Sequence, residues 1–296
     1  MKVRSSGEKA FNYFNILVLL ALVALTMGPL WISMVGSFNE GLDYTRGGVY
    51  FWPRKFSLLN YRIIFSDETI LNAYYVSIAR TLIGTAICVI FTSVVAYAMS
   101  AQRLKFKGVY VIIMLVTMFF SGGIIPSYLL IKQLGLLDNF GVYIIPGIFN
   151  VFYMIIIQNS FREIPNSVSE SAKIDGAGEY RILFSLYLPM SLPVIAAVSL
   201  FVAVGHWNSY FDSMMYTTSD TLQTVQLFLQ KMLAKTMFAA NAANSAAAAI
   251  PEERRTISAQ TIILATMIAT TMPILFVYPF VQKHIIKGIM IGSIKG

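Results

Sequence analysis

Residues 163–193 read EIPNSVSESAKIDGAGEYRILFSLYLPMSLP, the most polar stretch between two long apolar runs. Such a stretch has to lie outside a hydrocarbon layer, because its backbone and side chains need water or a protein partner. Its local signals predict a short helix with marked ends. Pro165 and Asn166 stop the preceding helix. Ser167 and Glu170 have the spacing of a capping box, in which each side chain satisfies the other's free backbone N–H. About two turns follow, and Asp175-Gly176 supplies the left-handed residue that closes a helix C-terminus. A second helix is expected from Glu179 to Leu188, ending at Pro189. A compact helix-turn-helix on an apolar chain is a docking element.

Working outward, the flanking runs set the fold class. The 296 residues are 57% hydrophobic and 12% charged, against about 25% charged in soluble domains. The apolar residues come in blocks of about 20, enough to cross roughly 30 Å of hydrocarbon as helix. Strand-type alternation is absent, so a barrel is excluded. The reading is an all-α polytopic membrane protein with six transmembrane helices, at 16–38, 73–100, 109–131, 142–161, 190–211 and 259–282. Gly122-Gly123 and Pro126 should bend or break the third, and Pro146-Gly147 lies near the start of the fourth. The first is read as a retained span, since a secretory signal carries an apolar core of only about 7–15 residues. Residues 39–72 read as a folded external loop. Residues 212–258 read as a 47-residue loop, with an Ala/Asn tract at 239–249 and the cluster Glu252-Glu253-Arg254-Arg255. Two regions follow: 1–72, with the N-terminal tail, first span and external loop, and 73–296, the core with the polar loop at 163–189.

Charge decides orientation. With both termini, the 101–108 loop and the polar loop on one side, that side carries 12 Lys/Arg and 5 Asp/Glu. The other carries 10 and 9, counting Arg80 there. The positive-inside rule then places the termini and the polar loop in the cytoplasm. The net charge of +8 is explained by topology, without nucleic acid. Cys88 is the single cysteine and His206 and His284 the only histidines. No intramolecular disulfide, thiolate cluster or metal site is indicated. The chain has no G-x-x-x-x-G-K-[ST] run, so it lacks a phosphate-cradling loop of its own.

The polar loop resembles the cytoplasmic loop of bacterial ABC importer permeases, E-A-A, three residues, G, nine residues, I, one residue, L-P. The match is Glu170-Ser171-Ala172, Gly176, Leu186 and Leu188-Pro189, with Ser171 and Leu186 as conservative departures. The ending Lys287-Gly288-Ile289-Met290-Ile291-Gly292-Ser293-Ile294-Lys295-Gly296 is similar to the K-G-x-x-x-G-x-x-K-G tail of the carbohydrate, maltose-type branch. Within it, the chain resembles permeases for complex-polysaccharide oligosaccharides such as alginate fragments. The resemblance implies a type I ABC importer permease fold in the bacterial cytoplasmic (inner) membrane. It also implies no catalysis on this chain. The partners would be a second homologous permease different in sequence, two ABC ATPase subunits holding ATP and Mg, and an external substrate-binding protein. Glu170, Ser171, Ala172, Asp175, Gly176, Leu188 and Pro189 would couple to an ATPase. Lys287, Gly288, Gly292 and Lys295 would reach the ATPase dimer, or else contact lipid head groups. The 212–258 loop would meet the binding protein, or serve as a linker.

The cargo path is sought in Gly205-His206-Trp207-Asn208-Ser209-Tyr210, at the outer end of the fifth span. Polar groups at membrane depth face protein or water, and aromatics beside hydrogen-bonding groups suit a sugar. His206, Trp207, Asn208 and Tyr210 are therefore candidate path residues, with an interfacial aromatic belt as the alternative. Arg80 and His206 would favour an acidic sugar, or else serve a structural role. An ABC permease for peptide or polyamine is the other reading. An ion-coupled carrier would need an intramembrane acid or charge relay, and the spans hold almost none.

Overall fold

A computed structural model describes residues 6–101, 104–245 and 258–293. Lys2, Arg4, Arg103, Glu252, Glu253, Arg254, Arg255 and Lys295 lie outside the described residues. The structure is helical, and among the described residues the one β contact is an isolated antiparallel bridge between Asn39 and Phe56. Two compact units emerge, Met1–Glu68 with Lys231–Thr271, and Thr69–Gln230 with Met272–Gly296.

The first unit is built on α1 (Ser6–Ser37), the short helices α2 (Gly41–Thr45) and α3 (Leu59–Ser66), and the N-terminal part of α14 (Ala259–Ser293). The 39–72 loop is folded, as expected, and polar side chains knit it. Asn39 donates to Asp43 at 3.0 Å and accepts from the Lys55 N–H at 3.0 Å. Asn60 donates to the carbonyls of Ser37 and Asn39, and its amide oxygen accepts from the Thr261 hydroxyl at 3.0 Å. Arg54 pairs with Asp43 at 3.1 Å. The Asn39 hydrogen bond, with Arg54 adding to it, holds the Asp43 carboxyl below its usual value.

The second unit is organised by α4 (Glu68–Ser100), 33 residues with small and polar side chains on its buried face. It is followed by α5 (Lys107–Phe119), α6 (Ile124–Gln133), a 3-10 turn Phe140–Tyr143 and α7 (Val151–Arg162). Next come α8 (Asn166–Ile174) and α9 (Glu179–Ile182), which runs on through a π turn, Leu183–Tyr187, into α10 (Leu188–Met190). Then follow α11 (Leu192–Asn208), α12 (Phe211–Tyr216) and the start of α13 (Val225–Ser245), whose residues from Lys231 on belong to the first unit. The core joins Cys88, Ala96 and Met99 of α4 to Met154, Ile157 and Phe161 of α7, and both to the α9–α11 stretch through Ile182, Tyr187 and Val198. Apolar side chains gain little by exchanging lipid for protein, so close packing and polar ties hold such a core. One tie is the buried Gln158 amide, which donates to the Met99 carbonyl at 2.6 Å.

Three described helices are long and apolar enough to cross a membrane, Gly7–Ser37, Glu68–Ser100 and Ala259–Val277. Two bent pairs raise the number to as many as five, Lys107–Phe119 with Ile124–Gln133 at 110°, and Glu179–Met190 with Leu192–Asn208 at 86°. The described residues therefore give three to five candidate spans against the six expected. The third expected span breaks at Gly122-Gly123, where Gly123 has φ +87°. Pro126 sits in the first turn of α6, where its missing N–H costs nothing. The fourth expected span is not one helix. Pro146-Gly147 interrupts it, and α7 keeps 12 residues, about 18 Å. The 212–258 loop is also corrected, since Leu, Gln, Lys and Met residues, all good helix formers, make α13.

Candidate functional site

The polar loop folds as a helical hook. Helix α8 starts at Asn166 behind Pro165, whose φ of −59° already suits a helix start. The expected Ser167–Glu170 capping box does not form, because Pro165 occupies the N-cap and starts the helix before Ser167. The C-terminus closes as the sequence predicts. Gly176 has φ +79°. The Gly176 N–H donates to the Lys173 carbonyl at 3.0 Å, and the Ala177 N–H to the Ala172 carbonyl at 2.9 Å. Together these are a complete Schellman closure. Val168 and Ala172, one turn apart, pack on the core together with Ala177. Glu170, Ser171, Asp175 and Gly176 are exposed on the outside of the hook, and so are Ile174 and Tyr180, at 86% and 76%.

A polar relay ties the hook to α4. Lys173 pairs with Glu179 at 2.6 Å, and the Tyr97 hydroxyl donates to the other Glu179 oxygen at 2.6 Å. Lys173 first, then Tyr97, hold the Glu179 carboxyl below the usual glutamate value. A depressed carboxyl keeps its tie at neutral pH and loses it only as pH falls through that lowered value. Tyr97 also meets Tyr187 edge-on at 5.0 Å between ring centroids, and Phe161 meets Tyr187 at 5.5 Å. The second helix does not end at Pro189 but reaches Met190. The π turn lies where the Pro189 ring would meet the Ser185 carbonyl of a regular helix, and widening the turn relieves that clash. Leu188 is half-buried against the core and Pro189 exposed. Tail residues Lys287, Gly288 and Gly292 lie on the α14 helix.

A second feature lies at the other end of α4. Arg80, counted with the outer side in the sequence reading, is 2% exposed. One terminal nitrogen donates to Asp212 Oδ1 at 3.1 Å, and the other contacts Asp212 Oδ2. The Ser209 hydroxyl and the Ser213 N–H also donate to Asp212, at 2.8 and 2.9 Å. The guanidinium stands over the Tyr143 ring, 4.5 Å from its centroid. The Tyr143 hydroxyl donates to the Leu222 carbonyl at 2.6 Å. The available signal was a lone Arg and a lone Asp at the ends of two apolar runs, since an ion in such a place needs a counter-ion.

Beside this pair is a cavity of about 340 Å³, within the range of small-molecule sites. Helix α11 gives it Phe201, Gly205 and His206; the start of α7 gives Asn150 and Tyr153, and the turn before it Phe149. Arg80 and Cys88 face it from α4. Of the four candidate path residues, His206 alone lines it. Trp207 is 6% exposed and packs with Ala73 and Val225, while Asn208 and Tyr210 are exposed. The sequence reading missed Phe149, Asn150, Tyr153 and Phe201, which come from two separate apolar runs.

Gly84 makes room for His206. A β-carbon on Gly84 would lie 2.6 Å from His206 Nε2 and 2.8 Å from its Cε1. Gly84→Ala is expected to cost about 1–3 kcal/mol in overpacking, offset by about 1 kcal/mol of helix propensity. Thermal unfolding should show Gly84→Ala below wild type, and Gly84→Ala with His206→Ala recovered. Equal losses in both would mean that the imidazole does not set the limit.

The whole chain has close relatives of the same length. It is 38% identical over 292 residues to Protein LplC of Bacillus subtilis (strain 168), covering 99% of this chain and 97% of that one. It is 40% identical over 284 residues to the polygalacturonan/rhamnogalacturonan transport system permease protein YtcP of the same organism, covering 96% of each. Among solved structures, one chain of a bacterial ABC transporter involved in the import of the acidic polysaccharide alginate superposes with a TM-score of 0.85 at 28% identity, over 96% of this chain and 99% of that chain. Residues 108–291 match the family described as binding-protein-dependent transport system inner membrane component. That segment is more than half of the chain, which therefore belongs to this family of ABC transport permeases.

Proposed function

We propose that this chain is one membrane-spanning half of an ATP-driven importer that brings an oligosaccharide, of the kind cut from acidic polysaccharides, into the cytoplasm. The observation that carries the reading is the helical hook. Helix α8 stands on the core through Val168 and Ala172, is closed by Gly176 and is tied to α4 through Lys173, Glu179 and Tyr97. A push on its exposed outer face is passed to α4 as a rigid displacement. In this reading the exposed Glu170, Ser171, Asp175 and Gly176 dock on an ATPase subunit, Ala172 serves the coupling by seating the helix on the core and not by direct contact, and Leu188 and Pro189 stand at the inner elbow. Both termini are cytoplasmic, and the α14 tail reaches the same ATPase pair. A second, related permease completes the pore, a binding protein delivers cargo from outside, and the ATPases bind ATP and Mg. Closure of the ATPases would rock the two halves between inward- and outward-facing states. Support for the saccharide cargo comes from the names of the relative and the solved transporter.

Capture of the chain from mildly solubilised native membranes tests this reading. An ABC ATPase and a second permease should come with it, and the assembled complex should import oligosaccharide when ATP is supplied. Absence of an ATPase, under conditions that keep other membrane complexes whole, overturns it.

A further inference from the structure

The cavity beside Arg80 has a charge balance that bears on what it can hold. Arg80 is the charged residue among those lining it, and Asp212 engages both its terminal nitrogens. A paired ion of this kind presents no net charge to a ligand. The expectation that Arg80 supplies a counter-charge for an acidic sugar is therefore not met by this geometry.

What the cavity does offer is neutral hydrogen bonding and aromatic surface. The Arg80 Nε is buried and has no hydrogen-bond partner, so one donor on a side chain 2% exposed is left unsatisfied. Such a group carries a desolvation cost until a partner arrives. The Asn150 amide oxygen caps α7 by accepting the Tyr153 N–H at 3.2 Å, which leaves its NH₂ as the group for a ligand. His206 adds an imidazole. Phe149, Tyr153 and Phe201 bring ring surface, and Phe201 is 56% exposed. Apolar walls with a few convergent polar groups are the usual make-up of a small-molecule site.

We propose that this cavity holds one sugar ring of the cargo by neutral hydrogen bonds and aromatic contact, without distinguishing neutral from uronate sugars. The proposal rests on the importer reading above. It places a ligand contact on this half of the pore and assigns any preference for acidic sugars to other parts of the complex.

The test is equilibrium binding to the purified permease–ATPase complex without binding protein. The probes are a neutral trisaccharide and the corresponding uronate trisaccharide. Wild type should bind both, with Kd values within about threefold. Phe201→Ala and Asn150→Ser should each weaken both by about five- to tenfold. Phe201 is exposed, and serine keeps an N-cap oxygen at position 150, so both variants should fold. Unchanged Kd values in both variants, no binding by wild type, or an effect confined to the uronate sugar overturns the proposal. Binding-protein-stimulated ATP hydrolysis is read on the same samples. If it is present while the variants bind as wild type, the importer reading stands and the cavity assignment falls. If no ATPase accompanies the chain, both fall.

Discussion

Asp212→Ala is expected to destabilise the protein by about 3–5 kcal/mol, the cost of leaving a buried charge without its partner. Arg80 is held by α4 at 2% exposure, and its guanidinium cannot reach water without disturbing that helix. Alanine at 212 also frees the Ser209 hydroxyl and the Ser213 N–H that now point at the carboxylate. The break between α11 and α12 would lose what fixes it. The paired change Arg80→Met with Asp212→Leu removes both charges and should fall within about 1 kcal/mol of wild type. Thermal unfolding in detergent separates the cases. Equal losses in the single and paired variants would show that the ion pair is not what makes Asp212 important.

Gly176→Val should abolish ATP-driven uptake, a drop of at least about tenfold, while the amount of chain inserted in the membrane stays the same. At φ +79° a β-carbon costs about 1–2 kcal/mol, and a β-branched side chain is the worst case. No heavy atom lies within 4 Å of a β-carbon built there, so the penalty comes from the backbone and not from a clash. The chain can relieve it by opening the Schellman closure, which would release α8 from its angle to the core. Asparagine tolerates the left-handed region, so Gly176→Asn should keep most of the uptake. Uptake by vesicles carrying Gly176→Val at the wild-type rate would separate this turn from coupling.

Several features were legible because their causes are local. The stop at Gly176, the break at Gly122-Gly123 and the apolar blocks of α1 and α4 need only nearby residues to be understood. The start of α8 was misread although its cause is also local. Pro165 and Ser167 both offered plausible ends, and the fixed φ of proline prevailed over the side-chain cap. The 142–161 run was misread because its apolar composition outweighed Pro146-Gly147 in a count of residues, whereas backbone geometry obeys the proline.

The sequence by itself determined the class of molecule, the break at Gly122-Gly123 and the stop at Gly176 that closes the hook. These follow from hydropathy, from proline and glycine backbone limits, and from spacing within one stretch. Tertiary structure alone decided which distant residues meet. Arg80 finds Asp212 across 132 positions, Tyr97 reaches Glu179 across 82, and Phe149 and His206 come to one cavity from different helices. No periodicity encodes such pairs, because they depend on the angle at which one packed helix crosses another. Trp207 shows the same limit from the other side. It stands next to His206 in sequence, yet the helix turns it by about 100°, into the core with Val225 and away from the cavity.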